Sequence, residues 1–508
     1  MKQTYHSLIT LLITFLGAVL LLGCTTAVNA TGISLNKSTA TLANGETFTL
    51  TATVEPSDTT DNVTWTSSNT TYVTVTGDGE TTTVKAVKAA VNKDTSVTIT
   101  ATIGSYKATC KVTVTGLTVS ATLSDSNATD NAKLLFQYLT DYYGKQILAG
   151  QMENAWNDSC DMLDRVYSNV SKYPALMGFD FMNYTGIHSY TASNCQTERA
   201  IKFWNGQNYS GTTIASGKHG IVAFMWHWRD PDTTASSTGT SITRSTSAAS
   251  KDGSFNTKAN TSSSDYTTYT IPYNCSTDKW NTSSTSYTNM VSNLDTIATQ
   301  LATLQTAGVP VLWRPLHEAA GNVGAYTGGE AWFWWGNSGD TDAEKAESYI
   351  ALWKFMYTYF TSKKGLHNLI WVWNGQNADY YPGDAYVDII GDDIYASDHT
   401  SQLTAYTKFS AMSDDSTASP KIVSLTECGR IPLPASCSTD GAWWRWFMVW
   451  NDGDWDRSTS SVTTTDSTSN YWSGASVNDA SVKSTVYSSS MVITLDELPD
   501  LTSYSSSN

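Results

Sequence analysis

The chain has 508 residues, 40% of them hydrophobic and only 15% charged, which excludes a disordered protein and argues for two or three folded domains. Its formal net charge of −16 excludes nucleic acid and anionic lipid surfaces as partners, since both are recognised through clustered Lys and Arg. Aromatic residues are plentiful, with 19 Trp and 27 Tyr; a Trp beside polar groups suits a sugar, whose apolar ring face stacks while its hydroxyls hydrogen-bond, and it equally suits an aromatic core.

At the N-terminus, Lys2 and His6 precede an apolar run from Leu8 to Leu22, too short for a comfortable membrane span and of the length of an export signal. The run ends in Leu21-Leu22-Gly23-Cys24, which resembles a bacterial lipobox. The resemblance implies removal of residues 1–23 and lipidation of Cys24, anchoring the protein to the bacterial cell envelope. The alternative is an ordinary signal peptide cut near Ala30. Either way the chain is exported, and its expected membrane contact is through the lipid alone. Six further cysteines remain: Cys110, Cys160, Cys195, Cys275, Cys428 and Cys437. An oxidising compartment permits disulfides among them, but spacing does not fix their connectivity. No CxxC or His-rich spacing points to a metal, so no metal or cofactor is expected.

Residues 31–115 are rich in Thr, Val and Ser and alternate with a period of two, as in Thr47-Phe48-Thr49-Leu50-Thr51-Ala52-Thr53-Val54. Turn residues such as Asn44-Gly45 and Gly77-Asp78-Gly79 punctuate the pattern. This predicts a small all-β sandwich. The stretches ISLNKSTATLANGETFTLTATVEP, VTWTSSN and CKVTV are similar to a bacterial Ig-like group 2 module, which implies a spacer or adhesive role. Residues 116–127 read as a linker.

A different pattern follows, over 128–502. In NAKLLFQYLTDYYG, one helical face carries Leu134, Leu135, Tyr138, Leu139 and Tyr142, with Gly144 as the stop. Short apolar runs then alternate with helical stretches. The predicted strands are Ile147–Gly150, Leu176–Phe179, Ile221–Trp226, Val311–Pro315, Leu369–Trp373, Val387–Ile394, Ile422–Thr426 and Phe447–Trp450. A helix with Met290, Leu294, Ile297, Leu301 and Leu304 on one face precedes the fourth strand, and another, from about Glu344 to Gly365, precedes the fifth. Eight strands alternating with helices predict a (β/α)8 TIM barrel. The Ser/Thr-rich stretch 233–265 reads as an insertion after the third strand.

In such a barrel the site lies at the C-terminal strand ends. That rule selects His227 after strand three, His317 and Glu318 after strand four, Asp393 and Tyr395 at the end of strand six, Glu427 after strand seven and Trp450 at the end of strand eight. Glycoside hydrolysis commonly needs two carboxyl groups flanking the scissile bond, about 5–5.5 Å apart in a retaining enzyme. Glu318 and Glu427, delivered by strands four and seven, are the candidate pair. Each residue also has a purely structural reading. The histidines and Tyr395 would be core groups, Trp334 and Trp335 either core or cleft, Arg314 a buried partner orienting a carboxylate, and Cys428 an inert neighbour of Glu427.

In chain order, WRPLHE, GGEAWFWWGN, GDDIYA, LTECG and WFMVWNDGDW are similar to the motifs of glycoside hydrolase family 26, whose best-populated activity is endo-β-1,4-mannanase. ILAGQMEN, YPALMGFDF and VITLDELPDL extend the likeness over about residues 130–502. The resemblance implies a retaining mechanism with Glu318 as acid/base and Glu427 as nucleophile, held by Tyr395. His227, His317 and Asp393 would line the subsite of the reacting sugar, and Trp332 and Trp450 would supply sugar platforms. The implied partner is a β-mannan polysaccharide or manno-oligosaccharide, met by a monomer that needs no cofactor. β-1,3-xylan and mixed-linkage β-glucan remain alternative substrates. A non-catalytic surface glycan-binding lipoprotein is the alternative outside enzymes, though a pure binder has no physical need for the two glutamates.

Overall fold

The computed structural model describes residues 27–87, 94–116, 118–154, 161–185, 195–232, 255–258, 266–321, 329–412, 420–452, 455–456, 461–462 and 470–505. The expectations for Cys24, for the apolar run before it, for Cys160 and for most of the insertion at 233–265 fall outside them. Two compact units divide the chain between Leu117 and Thr118.

The first unit is a sandwich of two four-stranded sheets. One runs Gly32–Leu35, Thr47–Glu55, Thr81–Ala86, Val73–Thr76; the other runs Thr39–Leu42, Tyr106–Val114, Thr95–Ile103, Thr64–Ser67. All pairings are antiparallel except Thr39–Leu42 with Tyr106–Val114. The period-two pattern places alternate residues inward: Leu50, Ala52 and Val54 on one strand and Val97, Ile99, Ala101 and Ile103 on another are buried, with Thr between them facing out or half covered.

The second unit is the predicted barrel. Its strands in order are Ile147–Met152, Leu176–Asp180, Ile221–Trp226, Val311–Pro315, Leu369–Trp373, Ile389–Ile394, Ile422–Cys428 and Trp446–Val449. Each pairs in parallel with the next, and the ring closes where Trp446 of strand eight faces Leu148 of strand one. A short ninth strand, Val492–Ile493, adds in parallel to strand one. Among the described residues eight α-helices accompany the strands. Four of them begin at a side-chain cap. Among these, Thr129 caps Asp130–Asp141, Ser284 caps Thr285–Thr306, and Thr341 with Glu344 forms a capping box at Asp342–Thr358. Residues 119–125, within the stretch read as a linker, pack with the barrel: Val119 and Leu123 are buried, the Ser124 N–H donates to Asp388 (2.6 Å) and Asp125 pairs with His367 (2.7 Å).

Strand four, VLWRP, is buried along its whole length, as expected where helices cover one face of a parallel strand and the barrel interior covers the other. Leu312 and Arg314 belong to the barrel interior together with Met152, Ala223, Met225, Val372 and Met448, around a void of only about 10 Å³. That is no more than one water's worth, so the barrel is a packed plug and not a channel. Gly178 makes this possible, since a Cβ there would lie 2.4 Å from the Met448 sulfur and 2.6 Å from that of Met152. The plug ends in Arg314, the one charged group among these lining residues.

Candidate active site

Where strand four stops, the backbone turns sharply. Leu316 (φ 53°) and Glu318 (φ 51°) both occupy the left-handed region, which costs a non-glycine residue of order 1–3 kcal/mol and persists only when the surroundings impose it. Here they do. The Tyr349 hydroxyl donates to Leu316 O (3.2 Å), the Trp335 indole to His317 O (2.8 Å), and the Glu318 N–H to Asn374 O at the end of strand five (2.7 Å). Gly336 seals the turn from behind, because a Cβ at that position would sit 1.7 Å from Ala319 O. The Glu318 side chain is thereby aimed over the barrel mouth, 8% exposed, and among the described residues its one side-chain donor is the Gln376 amide, 3.4 Å from Oε1.

Glu427 rises from strand seven opposite Asp393 of strand six. Its two oxygens are held differently from those of Glu318. Arg314 Nη2 donates to Oε1 (2.5 Å) and the Tyr395 hydroxyl donates to Oε2 (2.6 Å). Arg314 Nη1 also donates to Asp393 (2.8 Å), whose other oxygen accepts from Thr426 (2.7 Å), and Thr426 in turn accepts from Asn374 (2.6 Å). One carboxylate oxygen from each of Glu318, Asp393 and Glu427 lies within 4.8 Å of the other two. Such a trio suggests a cation site, but the Arg314 guanidinium already bridges Asp393 and Glu427 and supplies the positive charge there.

The two glutamates differ in proton affinity for visible reasons. Burial, then the charges of Asp393 and Glu427, holds the Glu318 carboxyl well above its ordinary value. Burial and Asp393 push Glu427 up to about 8, while Arg314 and Tyr395 pull against them. Glu318 has weaker donors and so takes the shared proton first. Burial and the same carboxylates keep the Tyr395 hydroxyl protonated, and burial keeps Cys428, beside Glu427, a thiol. Among the described residues Cys110, Cys275, Cys428 and Cys437 form no disulfide.

A second wall faces the pair. His227 follows strand three, and its Nδ1 meets Asp180 of strand two at 2.6 Å, while its N–H donates to the other Asp180 oxygen (3.1 Å). Its ring packs edge-on against His317 at 4.6 Å. Burial holds His317 well below its ordinary pKa, so it is neutral, and its Nδ1 has no hydrogen-bond partner among the described residues. Phe333 touches both imidazoles, at 5.8 and 5.1 Å, and Trp450 lies 6.1 Å from His227. Tyr395 completes the cleft with a ring that leaves the residue 45% exposed, although its hydroxyl is tucked against Glu427.

This geometry fits acid–base work on a polyhydroxylated ligand: two carboxyls with oxygens within 4.8 Å of each other, one with strongly raised proton affinity and one cradled, with exposed aromatic surface and a neutral imidazole alongside. The model of glycosyl hydrolase family 26 matches residues 124–471, more than half of the chain. The chain belongs to this family. The family 26 chain is 31% identical over 380 residues to a mannan endo-1,4-β-mannosidase of Thermothelomyces thermophilus, covering 75% of this chain and 64% of that protein. It is 34% identical over 334 residues to mannan endo-1,4-β-mannosidase B of Piromyces sp, covering 65% and 48%. It therefore spans less than two thirds of the length of these curated relatives. Its fold is similar to a β-mannanase from a symbiotic protist of the termite Reticulitermes speratus complexed with gluco-manno-oligosaccharide (TM-score 0.57, 28% identity, 76% of this chain and 100% of that chain). A bacterial Ig-like domain (group 2) matches residues 29–114.

In this family 26 barrel the residues selected at the strand ends gather at one mouth: Glu318, Glu427, Asp393 and Tyr395 through hydrogen bonds and charge, and His227, His317 and Trp450 through ring contacts. Trp332 is half-buried with its ring against Gly321, and the ring that reaches both histidines is its neighbour Phe333. Arg314 takes the orienting role, and Trp334 and Trp335 are core. Sequence reasoning missed Asp180, although it lies in the quoted GFDF run at the end of strand two. It also missed Phe255, whose ring lies tilted 4.7 Å from that of His227. Phe255 lies inside the insertion; Asn256 bridges to Phe333 and Thr257 N donates to Trp332 O (2.8 Å), so this part of the insertion is a strip of the cleft wall.

Proposed function

We propose that the chain is a retaining glycoside hydrolase that cleaves β-1,4-mannosidic linkages in mannan, galactomannan or glucomannan, with Glu427 as nucleophile and Glu318 as acid/base. The observation that carries this reading is the approach of the two carboxylates within 4.8 Å at the ends of strands four and seven, the spacing of a pair that acts by double displacement and leaves no room for a water between its members. Glu318 protonates the departing oxygen while Glu427 attacks the anomeric carbon. The resulting mannosyl-enzyme is hydrolysed by a water that Glu318, now a base, deprotonates, so the β configuration returns. Arg314 and Tyr395 favour the ionised form of Glu427 and aim it. His317 Nδ1, buried without a partner among the described residues, is suited to a sugar hydroxyl, and His227 is set by Asp180 to join it. The substrate follows from what the curated relatives are named for.

The purified chain, incubated with mannan, galactomannan, β-1,3-xylan and mixed-linkage β-glucan, is expected to release manno-oligosaccharides first, as the β-anomer in time-resolved proton NMR. Cleavage confined to the xylan or the glucan refutes the substrate, and first-formed α-anomer refutes the mechanism. We further propose that Cys24 is lipidated and holds the protein at the cell envelope, on the strength of the Leu-Leu-Gly-Cys run. Mass spectrometry of the mature N-terminal peptide should find acylated Cys24, and a free N-terminus near Ala30 overturns the proposal.

A further inference from the structure

At the opposite end of the barrel lies a surface cavity of about 380 Å³, within the roughly 300–1,000 Å³ of small-ligand pockets. It sits below the starts of strands two and three, where Tyr173 precedes Leu176 and Ala215 precedes Ile221. Strands of five and six residues separate it from the glutamates, roughly 17 Å at ~3.3 Å per residue. A stacked tyrosine pair forms one side: the rings of Tyr167 and Tyr173 are 4.4 Å apart and 15° from parallel, and Tyr167 is 45% exposed. Neither hydroxyl hydrogen-bonds to any other described residue, and the same holds for the Asn208 amide nitrogen, although the Asn208 oxygen is fixed by Ser210 and Thr212. Lys172, the nearby cation, is already paired with Glu497 at 3.0 Å, and the Asp496 carboxylate lies on the rim.

An exposed aromatic face beside uncommitted hydroxyl and amide groups suits the apolar face and hydroxyls of a pyranose. The paired lysine and the added carboxylates disfavour anions. We propose that this groove is a second, non-catalytic binding site for a neutral β-linked hexose chain, and, resting on the mannanase reading, that it holds a stretch of mannan. A polymer held there raises the effective concentration of chain at the mouth on the far side of the barrel.

The test uses the full chain and its Tyr167→Ala and Asn208→Ala variants, each checked for an unchanged thermal midpoint. Retention on insoluble mannan is measured, with insoluble cellulose and xylan as parallel arms, alongside hydrolysis of soluble mannohexaose and of insoluble mannan. Tyr167→Ala is expected to lower retention on mannan and the rate on insoluble mannan by about 2- to 10-fold, the worth of one aromatic stack, with Asn208→Ala shifted in the same direction. Mannohexaose hydrolysis is expected to stay at wild-type level in both. Equal retention of wild type and both variants on all three polymers overturns the site. Lack of mannohexaose hydrolysis by the wild type refutes the mannanase reading separately, and a Tyr167-dependent retention on cellulose or xylan then keeps the groove while replacing its sugar.

Discussion

Replacing Glu427 by Gln is expected to reduce mannan turnover by ~10⁴-fold or more, as removal of a covalent nucleophile does, while mannohexaose still binds, since the histidine and aromatic wall is untouched. Glu318→Gln should cost ~10²–10⁴-fold, the usual worth of a general acid–base group, and should show a different signature. With a mannoside whose leaving group needs no proton, such as a dinitrophenolate, the first step should recover in Glu318→Gln and a burst of phenolate should appear before slow hydrolysis of the mannosyl-enzyme. No such recovery is expected in Glu427→Gln. Near-normal turnover of mannan by either variant, measured as reducing ends, would falsify the assignment. The wild-type rate should be bell-shaped in pH. It falls on the acid side as Glu427 gains a proton and on the alkaline side as Glu318 loses one, and the alkaline limb should be absent from the dinitrophenyl substrate.

Arg314→Met removes the cation that joins Asp393 and Glu427. Breaking a buried ion pair by deleting one partner costs ~3–5 kcal/mol, because the remaining charges stay buried without compensation, so the variant should unfold at clearly lower denaturant than wild type. Activity should suffer in a particular direction. Arg314 lowers the proton affinity of Glu427 both by charge and by hydrogen bond. Without it the Glu427 pKa rises, the ionised nucleophile is lost at higher pH, and the acid limb of the profile moves up. Arg314→Lys should restore part of the stability and only part of the shift, since an ammonium keeps the charge but lacks the planar fork that reaches two carboxylates. A stable Arg314→Met variant with an unmoved acid limb would show that Arg314 neither supports the barrel mouth nor tunes Glu427.

Much of this was legible in the sequence, and the reasons are physical. Strands three, four and five begin and end where the apolar runs Ile221–Trp226, Val311–Pro315 and Leu369–Trp373 do, because a parallel barrel strand is buried on both faces and stays apolar for most of its length, with Arg314 near the end of strand four as the exception. Polar residues just past those ends therefore announced the mouth. What did not show was geometry that loops decide. In the run Ala331-Trp332-Phe333-Trp334-Trp335 four adjacent aromatics carry the same chemical label, and only the bridge from Asn256 to Phe333 determines which ring meets the histidines. Asp180 was hidden in the same way: a carboxylate at a strand end has no partner in one dimension, and it acquires its meaning from His227, 47 residues on. The left-handed turns at Leu316 and Glu318 are opposite to the preference of those residues, and aromatic donors distant in sequence impose them.

The distribution of the site around the ring has a consequence for how such an enzyme diversifies. The groups that manage charge at Glu427, from Arg314 through Asn374, Asp393 and Tyr395 to Thr426, stand on four consecutive strands, four to seven, or one residue past their ends. The wall of Asp180, His227, Phe255 and Phe333 is built from strands two and three and the segments that follow strands three and four. On the proposed reading, the chemistry and the choice of sugar thus occupy separate arcs that meet at the turn after strand four. If that division holds, changes in the recognition arc would retune which polymer is accepted while leaving the two glutamates' surroundings in place, and one reaction would be inherited intact while its substrates drift.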